Sequence, residues 1–233
     1  MFLSNLRRQL WFQWISLSAI GWLSGLVAAF ISEVSLVRLL RHLLVMLIVR
    51  PNSVTGLHET LIYNIGDAIP GNFIGTKYAL SLGILFGFCR GAAFGMVGGY
   101  FQFLVLRRYL GSARLWVFAN TFLWACIWAT VTGYVWGWGW QAIHLAHSVY
   151  GLVGAITFSI CQWLVLYQQN VKQSYWWIVA TIISWAASNT IVLKLAYGSF
   201  YPLPLLWGLV GIANGLFTAM PLTVSMRPRI TSQ

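Results

Sequence analysis

The chain has 233 residues, of which 59% are hydrophobic and only 7% charged, and its mean hydropathy is +0.76. A soluble domain carries about 25% charged residues, so this composition excludes a water-facing surface over most of the exterior and calls for lipid. The net charge of +11 comes from fourteen basic residues against three acids. In a soluble protein that would suggest nucleic acid; here the bases sit mainly in short loops and tails, where the positive-inside rule explains them, and no nucleic-acid partner is expected.

Crossing the hydrocarbon takes about 20 mostly apolar residues. Six stretches qualify, at roughly 11–32, 78–106, 114–136, 142–167, 175–197 and 203–224. They predict an all-α integral membrane protein of six spans forming a single transmembrane domain over 1–233. Span one follows Arg7 and Arg8 and holds Trp14 and Trp22. Its Trp spacing recurs in later spans, which marks it as a permanent span rather than a signal peptide.

The connection 33–77 carries all three acids, Glu33, Glu59 and Asp67. Its first part, Leu36 to Val49, is apolar but interrupted by Arg38, Arg41 and His42, and reads as an interfacial amphipathic helix. The alternative is that this part crosses, giving seven spans and an external N-terminus. Its second part, with Asn64 to Asp67 and Ile69 to Asn72, is turn-like.

Span two has Gly83, Gly87, Gly91, Gly95 and Gly99 every fourth residue. In lipid, helices associate through close backbone packing rather than a hydrophobic force, so this stripe, repeated loosely by Gly151, Ala155 and Ser159 in span four and by Gly211, Gly215 and Ala219 in span six, reads as a glycine zipper; a flat pigment or sterol is the functional alternative. Span two also carries Arg90, about 18 Å along the helix from residue 78. A charge at that depth needs a partner, and with no acid in any span the candidates are carbonyls, water, a folded-in loop, another subunit or an anionic ligand. Arg107, Arg108 and Arg114 follow in the turn to span three, Lys172 lies between spans four and five, and Arg227 and Arg229 follow span six. Together with Arg7 and Arg8 they fall on one side, which places both termini in the cytoplasm.

The chain repeats itself. Gly91 to Trp124 and Gly151 to Trp185 align with Gln102 and Gln162 in register, each followed by x-L-V-L, a short turn and a Trp pair: Trp116 with Trp124, then Trp177 with Trp185. Trp14 and Trp22 carry the same spacing, while Gly208 to Gly211 copies Gly151 to Gly154 and leads into Gly215. Spans six and one would then form a third hairpin from the chain ends, with the three parallel repeats around a pseudo-threefold axis along the membrane normal.

These hairpins, best seen in Cys161-Gln162-Trp163-Leu164-Val165-Leu166 and in Gln102 to Arg108, resemble those of a loose group of uncharacterised bacterial polytopic membrane proteins, best represented in cyanobacteria. The shared form is G-x-x-x-G-x-x-Q-W-L-V-L-R-R, a turn, then W-W-x-x-A. The likeness spans about two-thirds of the chain, from the repeats alone. Span six has Ala219 in place of the Gln, and the second turn has Tyr167 and Gln168 where Arg-Arg is usual. The resemblance implies a bacterial plasma or thylakoid membrane and no particular activity.

Gln102, Gln162, Asn120, Asn189 and Asn214 read as interhelical hydrogen-bonding groups, with ligand binding as the alternative at Gln102 and Gln162. His144 and His147, at i, i+3 on the start of span four, share one helix face. They read as interfacial groups or, alternatively, as chlorophyll or haem ligands. Cys89, Cys126 and Cys161 read as small core residues, and Lys194 can snorkel to the interface. No phosphate loop, HExxH, nucleophile elbow or carboxylate pair is present. The reading taken is a non-enzymatic accessory or scaffold subunit that packs helices, lipid or pigment (chlorophyll or carotenoid) in a larger membrane complex, with no metal. The alternatives are a small anion transporter or channel using Arg90 and an axial pore, and a lipid-modifying enzyme using His42, His58 or the loop acids.

Overall fold

The structure, a computed structural model, describes residues 2–48, 73–110, 113–138, 151–196 and 203–225. These form six helices: α1 (Phe2–Ile48), α2 (Phe73–Leu106), α3 (Arg114–Trp138), α4 (Gly151–Gln168), α5 (Trp176–Ala196) and α6 (Leu203–Ser225). No strand occurs among the described residues. Helices are what such runs must form in lipid, because each satisfies its own backbone groups. Three segments are long and apolar enough to cross a membrane: Arg8–Leu40, Leu80–Leu106 and Arg114–Val135. Three shorter apolar helices accompany them, at Leu152–Gln168, Trp176–Ser188 and Gly208–Leu222.

One expectation fails. No separate amphipathic helix follows span one, because α1 continues unbroken to Ile48, about 70 Å at 1.5 Å per residue. Hydropathy drops at Glu33, but no Gly or Pro interrupts 33–48, so nothing ends the helix there. The continuous helix also rules out 36–49 as a separate seventh crossing. Glu33 is helical, not a loop residue.

Each helix packs on the next in sequence, and α6 packs on α1, so the six close into a ring. The α2–α3 contact is the closest. A Cβ on Gly87, Gly91 or Gly95 would fall on the backbone carbonyl of Trp128, Trp124 or Asn120 respectively, and one on Gly99 would come within 2.8 Å of Asn120 Cβ. Gly83 is buried on the same helix. Where α6 packs on α1, a Cβ added to Gly211 would lie 2.8 Å from Trp22 Cβ, and one on Gly215 would lie 2.9 Å from Ile15 Cα and 3.3 Å from Ser18 Cβ. Glycine lets these backbones approach where any side chain would hold them apart.

The turn after α4 shows how sequence ends a helix. The N–H of Val171 donates to the Leu166 carbonyl at 3.1 Å and that of Asn170 to Tyr167 at 2.9 Å, with Asn170 at φ 54°. This is the Schellman closure with Asn in the left-handed position that glycine otherwise takes, and Val171 packs on the cluster that holds Leu166. That cluster also joins Leu10, Leu106, Leu110 and Leu222. The start of α1, both short turns and the end of α6 therefore share one end of the ring, where Arg8, Arg107, Arg108, Arg114 and Lys172 are exposed.

Candidate functional site

The centre of the ring is made of indoles. Trp14, Trp116 and Trp177, from α1, α3 and α5, are each at most 1% exposed. Their ring centroids lie 6.2, 5.8 and 5.3 Å apart, all edge to face. This arrangement sets the positive edge of one ring against the negative face of the next. Eight residues along each helix, about 12 Å, a second level forms. Trp22 meets Trp124 at 5.5 Å and Trp124 stacks on Trp185 at 5.2 Å, with Phe94 and Phe158 filling between.

A buried indole N–H needs an acceptor, and each ring of the first level finds one on another helix. Trp116 Nε1 donates to Gln102 Oε1 at 2.9 Å, Trp177 Nε1 to Gln162 Oε1 at 2.9 Å, and Trp14 Nε1 to Thr218 Oγ1 at 2.9 Å. The Thr218 hydroxyl in turn donates to the Asn214 carbonyl at 2.6 Å. Gln162 Nε2 donates to Asn120 Oδ1 at 3.3 Å, and Asn120 Nδ2 to the Trp116 carbonyl at 2.8 Å. One chain of polar contacts thus runs from α5 through α4, α3 and α2. One turn beyond the first-level indoles, Ser18, Asn120 and Thr181 occupy matching positions and are all buried.

Gln102 and Gln162 are thus brought to the ring centre, and each holds a tryptophan. Thr218 was not legible as their counterpart. Matching the G-L-V-G strings puts Ala219 opposite Gln162, and Ala219 is a buried apolar residue of the first cluster. The physical register is one residue shorter. Matching the close-packing Gly211 and Gly215 to Ala155 and Ser159 instead would have set Thr218 opposite Gln162 and Leu222 opposite Leu166.

Arg90 has a partner within the chain. Its Nη1 lies 3.2 Å from Glu33 Oε2, both side chains 31% exposed, and its guanidinium sits 4.3 Å from the centroid of the Trp128 ring. The expectation of an unusual partner rested on placing Glu33 in a loop; the continuation of α1 carries that carboxylate alongside α2. The guanidinium thus has an ion pair and a cation–π contact within the chain, while its Nε is buried without a hydrogen-bond partner. At both levels aromatic side chains from α1, α3 and α5 meet at the centre of the ring.

His144, His147, His58, Glu59 and Asp67 lie outside the described residues, as do the side chains of Asn189 and Lys194. Gly151 opens α4. Cys89, Cys126 and Cys161 are free and half-buried. Among the described residues no three His, Cys, Asp or Glu side chains gather as a metal site would require. Set beside protein-family models, curated proteins and solved structures, the chain matches none of them.

Proposed function

We propose that this protein is a non-enzymatic scaffold subunit of a bacterial plasma or thylakoid membrane, built as three parallel hairpins around a pseudo-threefold axis: α2–α3, α4–α5 and α6–α1. The observation that carries the reading is the indole triad. Three tryptophans at equivalent places of three helix pairs meet on one axis, each held by a polar side chain of its own hairpin. An interior filled with rings, with the three first-level indole N–H groups each bonded to a neighbouring helix, is suited to holding helices in a fixed arrangement. The glycine contacts of α2 on α3 and of α6 on α1 are similar in kind, as a zipper repeated across hairpins would be.

The outer face supports the role of packing subunit. Phe12, Phe118 and Met220 are each 70% exposed, and an apolar exterior on this scale has partners in lipid, in pigments such as chlorophyll or carotenoid, or in other membrane helices. The exposed basic residues at one end support a cytoplasmic location for that end and for both termini. The likeness to cyanobacterial hairpin proteins in Gln162 to Leu166 and Gln102 to Arg108 agrees with this location. Native membranes solubilised in mild detergent and separated by size test the role. The chain should migrate in an assembly larger than itself, and a chain found only as a free monomer refutes the subunit reading.

A further inference from the structure

Between the cytoplasmic ends of α1 and α2 lies a groove of about 340 Å³, at the lower end of the roughly 300–1,000 Å³ of small-molecule sites. Its lining sets apolar Phe12, Leu17 and Leu104 beside polar Gln13, Arg107 and Arg108. Gln13 Oε1 accepts a hydrogen bond from Arg108 Nη1 at 3.1 Å, which holds that guanidinium at the opening rather than free in solvent. Both arginines are exposed, and no acid of the described residues lies on this end of the ring.

We infer that this groove is a binding site for one anionic phospholipid of the cytoplasmic leaflet, its phosphate on Arg107 and Arg108 and an acyl chain along Phe12, Leu17 and Leu104. The charge pattern selects the occupant. Guanidinium pairs bind phosphate in a forked geometry, basic pockets between helices on the cytoplasmic side take lipid headgroups, and the apolar side chains of the same lining suit an acyl chain better than a free anion. The repeat supplies an internal comparison, because sixty residues on, the same turn positions are Tyr167 and Gln168, both exposed. The second hairpin folds without paired arginines there, so the arginines are not needed to make the turn. The inference rests on the membrane orientation proposed above.

The test uses the full chain purified in detergent and examined by native mass spectrometry with added phosphatidylglycerol, phosphatidylcholine or inorganic phosphate. The wild-type chain should retain one phosphatidylglycerol in preference to phosphatidylcholine. Replacing Arg107 by Tyr and Arg108 by Gln, the residues of the second turn, should weaken that binding by about 30-fold, equivalent to about 1 kcal/mol for each arginine. Introducing Tyr167→Arg with Gln168→Arg into that variant should leave the loss at the first groove unrepaired. Equal retention of both lipids, competition by inorganic phosphate at the lipid's own concentration, or unchanged binding in the R107Y/R108Q variant would each overturn the proposal. The scaffold reading fails separately, if the wild-type chain is released from membranes by alkaline carbonate without detergent or solubilises only as a free monomer.

Discussion

The indole of Trp14 donates to the hydroxyl of Thr218 at 2.9 Å, a buried bond between residues 204 positions apart. It makes the first and last helices partners in the same way that Gln102 partners Trp116 across a short turn. Thr218→Val removes the acceptor at nearly constant shape, whereas Trp14→Phe removes the donor together with part of a fully buried ring. Thr218→Val should lower stability by about 1–3 kcal/mol through the indole N–H it leaves unpaired, and Trp14→Phe by more, because it also leaves a cavity. The double variant should cost less than the sum of the two, measured by thermal unfolding in detergent.

Gln162 bonds two side chains, Trp177 and Asn120, whereas Gln102 holds Trp116. Gln162→Leu should therefore destabilise more than Gln102→Leu, because it leaves both an indole N–H and an amide oxygen buried without partners. Unfolding midpoints of the two variants, compared side by side, check the order.

Glycines on the same helix should divide by what they face. Gly91 lies against the Trp124 carbonyl, while a Cβ on Gly98 meets only the Gly21 carbonyl at 3.7 Å, ordinary contact. Gly91→Ala should push α2 off α3 and destabilise. Gly98→Ala should be neutral or stabilising, by up to about 1 kcal/mol, through helix propensity. Heat stability of the two purified variants reads the difference directly.

Glu33 and Arg90 neutralise each other within the apolar part of the ring. Removing one partner leaves the other charge poorly solvated, so Glu33→Gln should cost about 1–3 kcal/mol, and Arg90→Gln a similar amount. The double replacement should recover part of that loss, because it leaves no lone charge. A double-mutant cycle on unfolding midpoints gives the coupling; additive losses would mean that the pair does not interact.

Much of this architecture was legible. The helices α2, α3, α5 and α6 match their sequence-derived spans closely, because apolar length and short polar turns define them. The helix α1 runs beyond its span at both ends, and α4 starts later because 139–150 lies outside the described residues. The Trp pairs at eight-residue spacing stood out, since large rings repeated in register point to a shared packing level. Sequence did not show what those rings do, because an indole's partner is set by the rotation of a neighbouring helix. A one-residue slip in aligning span six hid Thr218 for that reason. Glu33 was misplaced on a different ground: hydropathy falls where polarity begins, whereas a helix ends only where its backbone is interrupted. Its pairing with Arg90 was therefore invisible until α1 was seen to run on past residue 33.

The central claim is that the two chain ends meet as one hairpin, and proximity-driven disulfide formation tests it most directly. With Cys89, Cys126 and Cys161 replaced by Ala, Ser18→Cys and Gly215→Cys should link on mild oxidation in native membranes, because a Cβ at residue 215 lies 3.3 Å from that of Ser18, close to the roughly 3.5–4.5 Å of a disulfide. Gly99→Cys with Asn120→Cys, across the short α2–α3 turn, serves as the comparison. After cleavage at a protease site inserted in 197–202, the linked α1 and α6 fragments should stay together on a non-reducing gel. If the Gly99–Asn120 pair links and the Ser18–Gly215 pair stays reduced, α1 and α6 are not neighbours and the closed ring is wrong.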